Sequence, residues 1–370
     1  MDRQIVAQVL EMAMSVQQVA APTFAEGQRA AFVCERLLEE GLEAHIDQVG
    51  NVLARLPAGE AGAQQSAARP VIVSAHLDTV FPAGTDLSLA RSVDKICGPG
   101  IGDNSMGVAG LFGLLWGLRQ QNKVLPGDLW LVANVCEEGL GDLRGMKAVV
   151  ERFGAGPQAY IVLEGMALGA VYHQGLGSRR YGITIRTQGG HSWFDYGRPS
   201  AVHELAGLIV RLQGLVLPAR PRTSLNVGVV SGGISVNTIA SEAHMEVDLR
   251  SESPETLHRL AAQVEEMAQA ANRPGVDVRV EVIGHRPAGE IPAGHPLVQL
   301  SMRALEAQGI EPHLQRGSTD ANVPLSLGLP AVCLGLTVGS AAHTTGEYIQ
   351  TPPLASGLEQ LLMVVENAYR

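Results

Sequence analysis

Apolar and polar positions change their period several times along this chain, and each change predicts a different element. Up to about residue 40 the hydrophobic residues recur at helical spacing, and HIDQVGNVLARLP (residues 45–57) then reads as a short hairpin ahead of a Gly/Ala/Gln-rich loop at residues 58–69. Two apolar runs follow, PVIVSAHLD (70–78) and LWLVANVCEE (129–138), which predict buried strands. Between them GVAGLFGLLWGLRQQ places Leu111, Leu114, Leu115 and Leu118 at helix spacing. A strand, a helix and a strand in this order predict a parallel pair with a right-handed crossover. AYIVLEG (159–165) adds another buried strand that ends in an acid.

After Gly175 the period shortens to two. RRYGITIRTQGG, LNVGVVSGG and AHMEVDLRS alternate apolar and polar residues as half-exposed antiparallel strands do. The amphipathic stretches PSAVHELAGLIVRLQGL and SPETLHRLAAQVEEMAQAA flank them as helices. From about residue 289 the α/β character returns: a helix at 296–308, the strand PAVCLGLTV and a last helix after TPP. That last helix is expected to take Thr351 as its N-cap and to bury Leu354, Leu358, Leu361, Leu362 and Val365. The expected architecture is therefore α/β: a discontinuous domain (1–175 and 288–370) around a mixed, mostly parallel sheet. A smaller four-strand, two-helix α+β domain (176–287) interrupts it.

With 370 residues, 46% of them hydrophobic, the chain can bury a large core. Its net charge of -10 argues against a nucleic-acid or anionic membrane partner, both of which need clustered Lys and Arg. The N-terminal stretch lacks a basic segment followed by a continuous apolar one, and no run reaches the roughly 18 apolar residues of a membrane span. A cytoplasmic protein is the expectation. Cys34, Cys97, Cys136 and Cys333 are scattered without a CxxC, so they read as reduced core residues.

One feature resists the core reading. Adjacent carboxylates, Glu137 and Glu138, stand at the end of a buried strand, where they repel each other and cost several kcal/mol unless a cation compensates. Other ionisable residues share that position after apolar runs: His76 and Asp78 in SAHLD, Asp103 in GPGIGDNSMG, Glu164 in VLEG and His343 in SAAHTTGEY. Ligands of open α/β sheets bind beyond the carboxyl ends of the strands. Two imidazoles with several carboxylates there suit zinc, and also cobalt or manganese. Side chains two apart on a strand share a face, so the Asp78 carboxylate is expected to accept the second ring N–H of His76 and fix its tautomer.

In order, HLDTVFP, GPGIGDNSMGVAG, EEG, LEG, GGHSW, VNTIA, VDLRS, GSTDAN and HTTGEY give the chain a clear resemblance. It resembles the dinuclear zinc peptidase family that includes carboxypeptidase G, acetylornithine deacetylase, succinyl-diaminopimelate desuccinylase, peptidase T and aminoacylase. The resemblance covers the chain from about Val71 to its end. It implies two divalent metal ions, most simply Zn2+, bridged by Asp103. His76 and Glu164 would complete one site and Glu138 with His343 the other. A bridging carboxylate can hold two ions about 3.5–4 Å apart, a spacing suited to activating water while polarising a carbonyl. Asp78 would support His76, and the family often has a cis peptide after the bridging aspartate, here Asp103–Asn104. Glu137 would be the general base, taking a proton from the metal-bridging water and delivering it to the leaving amine. His191 would reach the active site of a partner subunit in a homodimer formed through the inserted domain, stabilising the oxyanion. Asn237, Arg250 and Arg286 would contact the substrate carboxylate or backbone, a task that suits the planar guanidinium fork. Asp320 matches a family motif but carries no assigned role beyond the pocket wall.

The expected substrate is a small peptide or an N-acyl amino acid cut at an amide bond. At the Glu164 position the family tends to carry glutamate in carboxypeptidases and deacylases, and aspartate in aminopeptidases, tripeptidases and dipeptidases. Glutamate favours the first group, with a short-peptide peptidase as the alternative. A non-catalytic binding member and a dinucleotide binder are remoter alternatives; for the latter, Gly98, Gly100 and Gly102 mimic a phosphate loop, yet Asp103 occupies the third-glycine position.

Overall fold

Strand Ala68–His76 runs parallel to Gly127–Asn134 on one side and to Ala159–Glu164 on the other, with His76 in register with Asn134. These relations come from a computed structural model that describes residues 1–59 and 68–370. Positions 60–67, most of the loop read at 58–69, lie outside the described residues. Ala331–Gly335 continues the sheet parallel to Ala159–Glu164. The hairpin Glu43–Ile46 and Val52–Leu56 pairs antiparallel against Gly127–Asn134. Ala170–Gly175 adds an antiparallel neighbour to Ala331–Gly335 and a parallel one to His313–Gly317. The result is a mixed, largely parallel sheet of nine strands. Val71, Ile72, Val73, Ile161 and Val162 are all buried, as they must be in parallel strands covered on both faces.

Helix Gly107–Gln120 joins the first two parallel strands. Its glycines permit close packing: a Cβ on Gly113 would meet Val9 and Leu358 at 2.7 and 2.8 Å, and one on Gly117 would meet Leu362 at 2.8 Å. Three helices, Arg3–Gln17, Gly107–Gln120 and Leu354–Asn367, therefore approach more closely than larger residues would allow. That closeness offsets the roughly 1 kcal/mol each helical glycine costs relative to alanine.

Four local expectations need correction. The N-terminal helical pattern is two helices, Arg3–Gln17 and Gly27–Glu39, broken around Pro22. The strand expected to carry Glu137 and Glu138 stops at Asn134, and Cys136 has φ +59°, so the chain turns before the acids. Helix Pro296–Glu306 ends two residues before its expected limit. The last helix starts at Leu354 with Pro353 as N-cap, while the Thr351 hydroxyl donates instead to the Val93 carbonyl. All five apolar residues expected in its core are buried.

The chain divides into two compact units, Met1–Gly175 with Glu290–Arg370, and Leu176–Gly289. The smaller unit has an antiparallel sheet in the order Thr223–Gly232, Glu242–Ser251, Gly177–Thr187, Val276–Arg286. Helices Ala201–Gln213 and Pro254–Gln269 bring Leu205, Leu208, Leu260 and Val264 into one core with Ile183, Ile185, Met245 and Val247 of the strands. The second helix begins with Ser253 accepting from the Thr256 N–H, followed by Pro254 in its first turn.

Candidate active site

The carboxyl ends of the parallel strands gather the ionisable residues. His76 and Glu164 are the last residues of their strands, while Glu137 and Glu138 lie on the turn after Asn134. Asp103 sits in an irregular turn before helix Gly107–Gln120, with φ -111° and ψ 88°, and its peptide bond to Asn104 is cis. His343 lies beyond Ala331–Gly335 with φ +64°, a left-handed backbone that few non-glycine residues adopt.

Distances tie these residues into two triads that share Asp103. His76 Nε2 lies 3.1 Å from Asp103 Oδ1 and 3.8 Å from Glu164 Oε2. His343 Nε2 lies 3.1 Å from both Asp103 Oδ2 and Glu138 Oε1. In each triad the nitrogen and oxygen atoms fall within 4.8 Å of one another, and His76, Glu137 and Glu138 meet the same criterion.

Burial opposes a proton on His76, yet the acids around it, Asp103 and Asp78 first, hold its pKa well above the ordinary imidazole value. Asp103 and Glu138 raise His343 to about 10. Burial would raise Asp103, but hydrogen bonds from His343 and His76 bring it below the usual carboxylate range. Glu164 is pushed well up by burial, and the charges of Asp103, Glu137 and Asp320 add to that against the pull of His76. Imidazole nitrogens and carboxylate oxygens in two linked triads are a donor set that divalent cations fit.

Asp78 holds the site differently from the expectation. The His76 Nδ1–H donates to the Asp78 backbone carbonyl at 3.0 Å, while the carboxylate Oδ1 is 3.6 Å from Nδ1. The strand ends at His76, so the alternation that would place both side chains on one face no longer applies two residues later. The Asp78 carboxylate instead accepts the N–H groups of Glu137 and Glu138, each at 2.9 Å, and the Thr23 hydroxyl at 2.9 Å. It fixes the turn that carries the two glutamates. Glu26 holds the preceding residue, accepting from both the N–H and the thiol of Cys136. Burial and then Glu26 push that thiol up to about 12, which removes Cys136 as a nucleophile.

Glu347 belongs to the same cluster and escaped sequence reasoning, although it lies within HTTGEY. Its buried carboxylate accepts N–H groups from Gly100 at 3.1 Å, Gly102 at 2.7 Å and Asp103 at 2.8 Å. Burial raises its pKa to about 7 against the lowering effect of those N–H groups. These are the amides a phosphate loop would offer, and they are already engaged, which counts against dinucleotide binding. Asp320, also buried, accepts from Asn134 Nδ2 at 2.6 Å, beside the end of the His76 strand. Thr23, Glu26 and buried Arg29, whose charge faces Asp78, carry no sequence signal because their partners are distant in the chain.

The remaining expected residues lie in the smaller unit. His191 is exposed in the short strand Gly190–His191, which pairs with Thr238–Ile239, and Ser192 N–H donates to the Asn237 carbonyl at 3.0 Å. His191 Nδ1 accepts the Trp193 N–H at 3.2 Å, which assigns the proton of the neutral ring to Nε2. Arg250 and Arg286 are both in register with Ser178, on strands to either side of it. They share one row and one face of the sheet, with backbones about 10 Å apart across two strand spacings. Arg250 pairs with Asp248 at 2.7 Å and is half-buried; Arg286 is buried.

Comparison with known proteins identifies the family. The model of "Peptidase family M20/M25/M40" matches residues 72–367. A putative succinyl-diaminopimelate desuccinylase, DapE, of Mycobacterium tuberculosis is 25% identical over 304 residues, covering 79% of this chain and 80% of its own. The crystal structure of aminopeptidase PepT from Bacillus cereus superposes with a TM-score of 0.80 at 23% identity, covering 99% of each chain. That of Bacillus subtilis YXEP, described as a dinuclear metal-binding peptidase, gives 0.70 at 16% identity and 98% coverage of each. The chain belongs to peptidase family M20/M25/M40 and is a metal-dependent hydrolase.

Proposed function

We propose that this protein hydrolyses an amide bond in an N-acyl amino acid or small peptide that ends in a free carboxylate. The observation that carries the reading is the pair of triads sharing Asp103, with Glu137 on the adjoining turn. His76, Asp103 and Glu164 would hold one divalent ion and Asp103, Glu138 and His343 the other, zinc being the simplest choice for these donors. Bound there, the ions supply a Lewis acid for the scissile carbonyl and a lowered pKa for water.

The chain's own residues do the rest. Glu137 accepts the proton of the attacking water on its carboxylate and hands it to the leaving nitrogen. The Asp78 clamp on its N–H keeps that carboxylate beside the triads. His191 donates Nε2–H to the oxyanion, and Arg250 and Arg286 receive the substrate carboxylate from one face of their sheet, with Asn237 beside His191. A carboxylate-terminated substrate makes the activity carboxypeptidase-like or deacylase-like, as Glu164 also favours.

His191 serves a second copy of the chain in this reading. Its loop exposes Trp193, Phe194 and Tyr196, each more than 80% accessible, which suits an interface. Strand Thr223–Gly232 forms a sheet edge with Val229 and Val230 exposed, the kind of edge that pairs with another chain. A homodimer through the smaller unit follows. Four free cysteines, three of them buried, support a reducing cytoplasm, and no helix among the described residues is long and apolar enough to cross a membrane.

The test is elemental analysis followed by a hydrolysis screen of N-acyl amino acids, dipeptides, tripeptides and aminoacyl-glutamate conjugates with the zinc and cobalt forms. About two metal equivalents and preference for substrates with a free carboxylate are expected. A purified chain that takes up no divalent metal overturns the reading, and preference for free amino termini turns it towards an aminopeptidase.

A further inference from the structure

Within the turn that presents Asp103, the Ile101 and Ser105 N–H groups donate to the Gly98 and Gly100 carbonyls at 3.3 and 3.2 Å, and none of these bonds involves Asp103. Gly100 has φ +72°, and a Cβ on Gly102 would meet Met166 at 2.4 Å, so the turn is glycine-built and pressed against its neighbours. Asp103 and Asn104 depart from helical angles, so helix Gly107–Gln120 does not extend through the bridging residue. Gln17 donates to the Pro99 carbonyl, and the Asn104 side chain ties the far side of the turn to Leu163 and Gly165. The amides at Asp103 itself and just before it are gripped by one carboxylate from far along the chain, Glu347, through the N–H groups of Gly100, Gly102 and Asp103. The Glu347 backbone adds a fourth bond, accepting the Gly98 N–H at 2.9 Å, and Tyr348–Gln350 pairs with Lys95–Cys97.

Glu347 lies only four residues beyond His343, whose imidazole reaches the other oxygen of Asp103. The short segment 343–347 thus touches the bridging aspartate twice, at its side chain through His343 and at its backbone through Glu347. A carboxylate has two oxygens to receive three convergent N–H donors, whereas a glutamine amide would turn a donor towards one of them.

We infer that Glu347 is a positioning residue that sets Asp103 between the two triads before any metal binds, and so governs metal affinity at both positions at once. The inference rests on the metal reading of the proposed function. Asp103 is the one ligand common to the two positions, so displacing its turn weakens both. Partners of this kind behind a ligand typically carry about 10–100-fold of metal affinity.

The experiment titrates metal-free protein with Co2+ against a chromophoric chelator, reading the cobalt visible absorption, for the unsubstituted chain, Glu347→Gln, Glu347→Ala and the surface control Glu366→Gln. Circular dichroism melting checks that each variant folds. Both Glu347 variants are expected to bind cobalt about 10–100-fold more weakly at both positions with a changed visible spectrum, while the control matches the unsubstituted chain. Unsubstituted affinity and spectrum in Glu347→Gln would overturn the inference while leaving the metal reading intact. Failure of the unsubstituted chain to bind cobalt brings down the metal reading and this inference together. Should the variants not fold, hydrogen exchange in the unsubstituted, metal-free chain decides: slow exchange across residues 98–106 supports the preset turn, and fast exchange overturns it.

Discussion

His76 and His191 carry the same ring in opposite surroundings, and the partner of Nδ1 separates them. In the larger unit His76 is 1% exposed, its Nδ1–H donates to the Asp78 carbonyl, and its Nε2 faces Asp103 and Glu164. In the smaller unit His191 is exposed and its Nδ1 accepts a backbone N–H, so Nε2 carries the proton. In the proposed mechanism the first imidazole would receive a metal ion and the second would donate to an anion. Multiply braced residues, most of them buried, thus form the site of the larger unit, while the smaller unit offers an exposed imidazole and two guanidinium groups on one face of its sheet.

The largest effect should come from the braced side. Glu137→Gln keeps the shape of the side chain and the Asp78 hydrogen bond to its N–H, and removes only the capacity to accept a proton. Turnover should fall by about 10²–10⁴-fold while elemental analysis still finds the metals. A variant that loses metal along with activity would make Glu137 a ligand and erase the distinction between the two glutamates.

His191→Ala probes the exposed side. Loss of one oxyanion donor should cost about 10²–10³ in kcat with metal content unchanged. Mixing His191→Ala chains with Glu137→Gln chains should restore part of the activity, because a mixed dimer holds one intact pairing of base and donor. Full activity from a chain that sediments as a monomer would remove the in-trans role.

Asp78→Asn tests the bracing itself, by stability rather than turnover. One amide oxygen can still accept an N–H, but the amide NH2 then faces the other, so a buried donor loses its partner. A loss of about 1–3 kcal/mol is expected in urea unfolding, together with weaker metal binding. An unchanged unfolding midpoint would mean that the turn stands without the clamp.

The contrast also explains which features were legible in the chain. Periodicity predicted the parallel strands, the crossover helix and the alternating insert because each depends on local burial. The residues of the two triads stood out because ionisable groups followed apolar runs, which is costly unless something compensates. The bracing was hidden. Glu347 contacts a turn 244 residues earlier and Thr23 an aspartate 55 residues later, separations that no local period reports. The Asp78 contact differs from the expectation for a local reason: strand alternation holds only as far as His76, and two residues later the backbone direction has changed.

The smallest expected effect lies in the smaller unit, where charge pairs are peripheral. Arg273 grips Glu204 with both terminal nitrogens at 2.9 and 2.6 Å, tying helix Ala201–Gln213 to the turn after Pro254–Gln269. Arg273 lowers the Glu204 pKa, chiefly by hydrogen bonding. A carboxylate with a depressed folded-state pKa stabilises above its unfolded value near 4.3, and that contribution is lost as pH falls through the folded one. Solvent reaches the pair, Arg273 being 49% exposed, so at pH 7 it contributes no more than a screened surface pair does. Glu204→Gln should shift the urea midpoint by no more than that at pH 7, and the shift should vanish near pH 3. A loss as large as that of Asp78→Asn would show that the smaller unit depends on buried polar bracing after all, and the division between the two regions would fail.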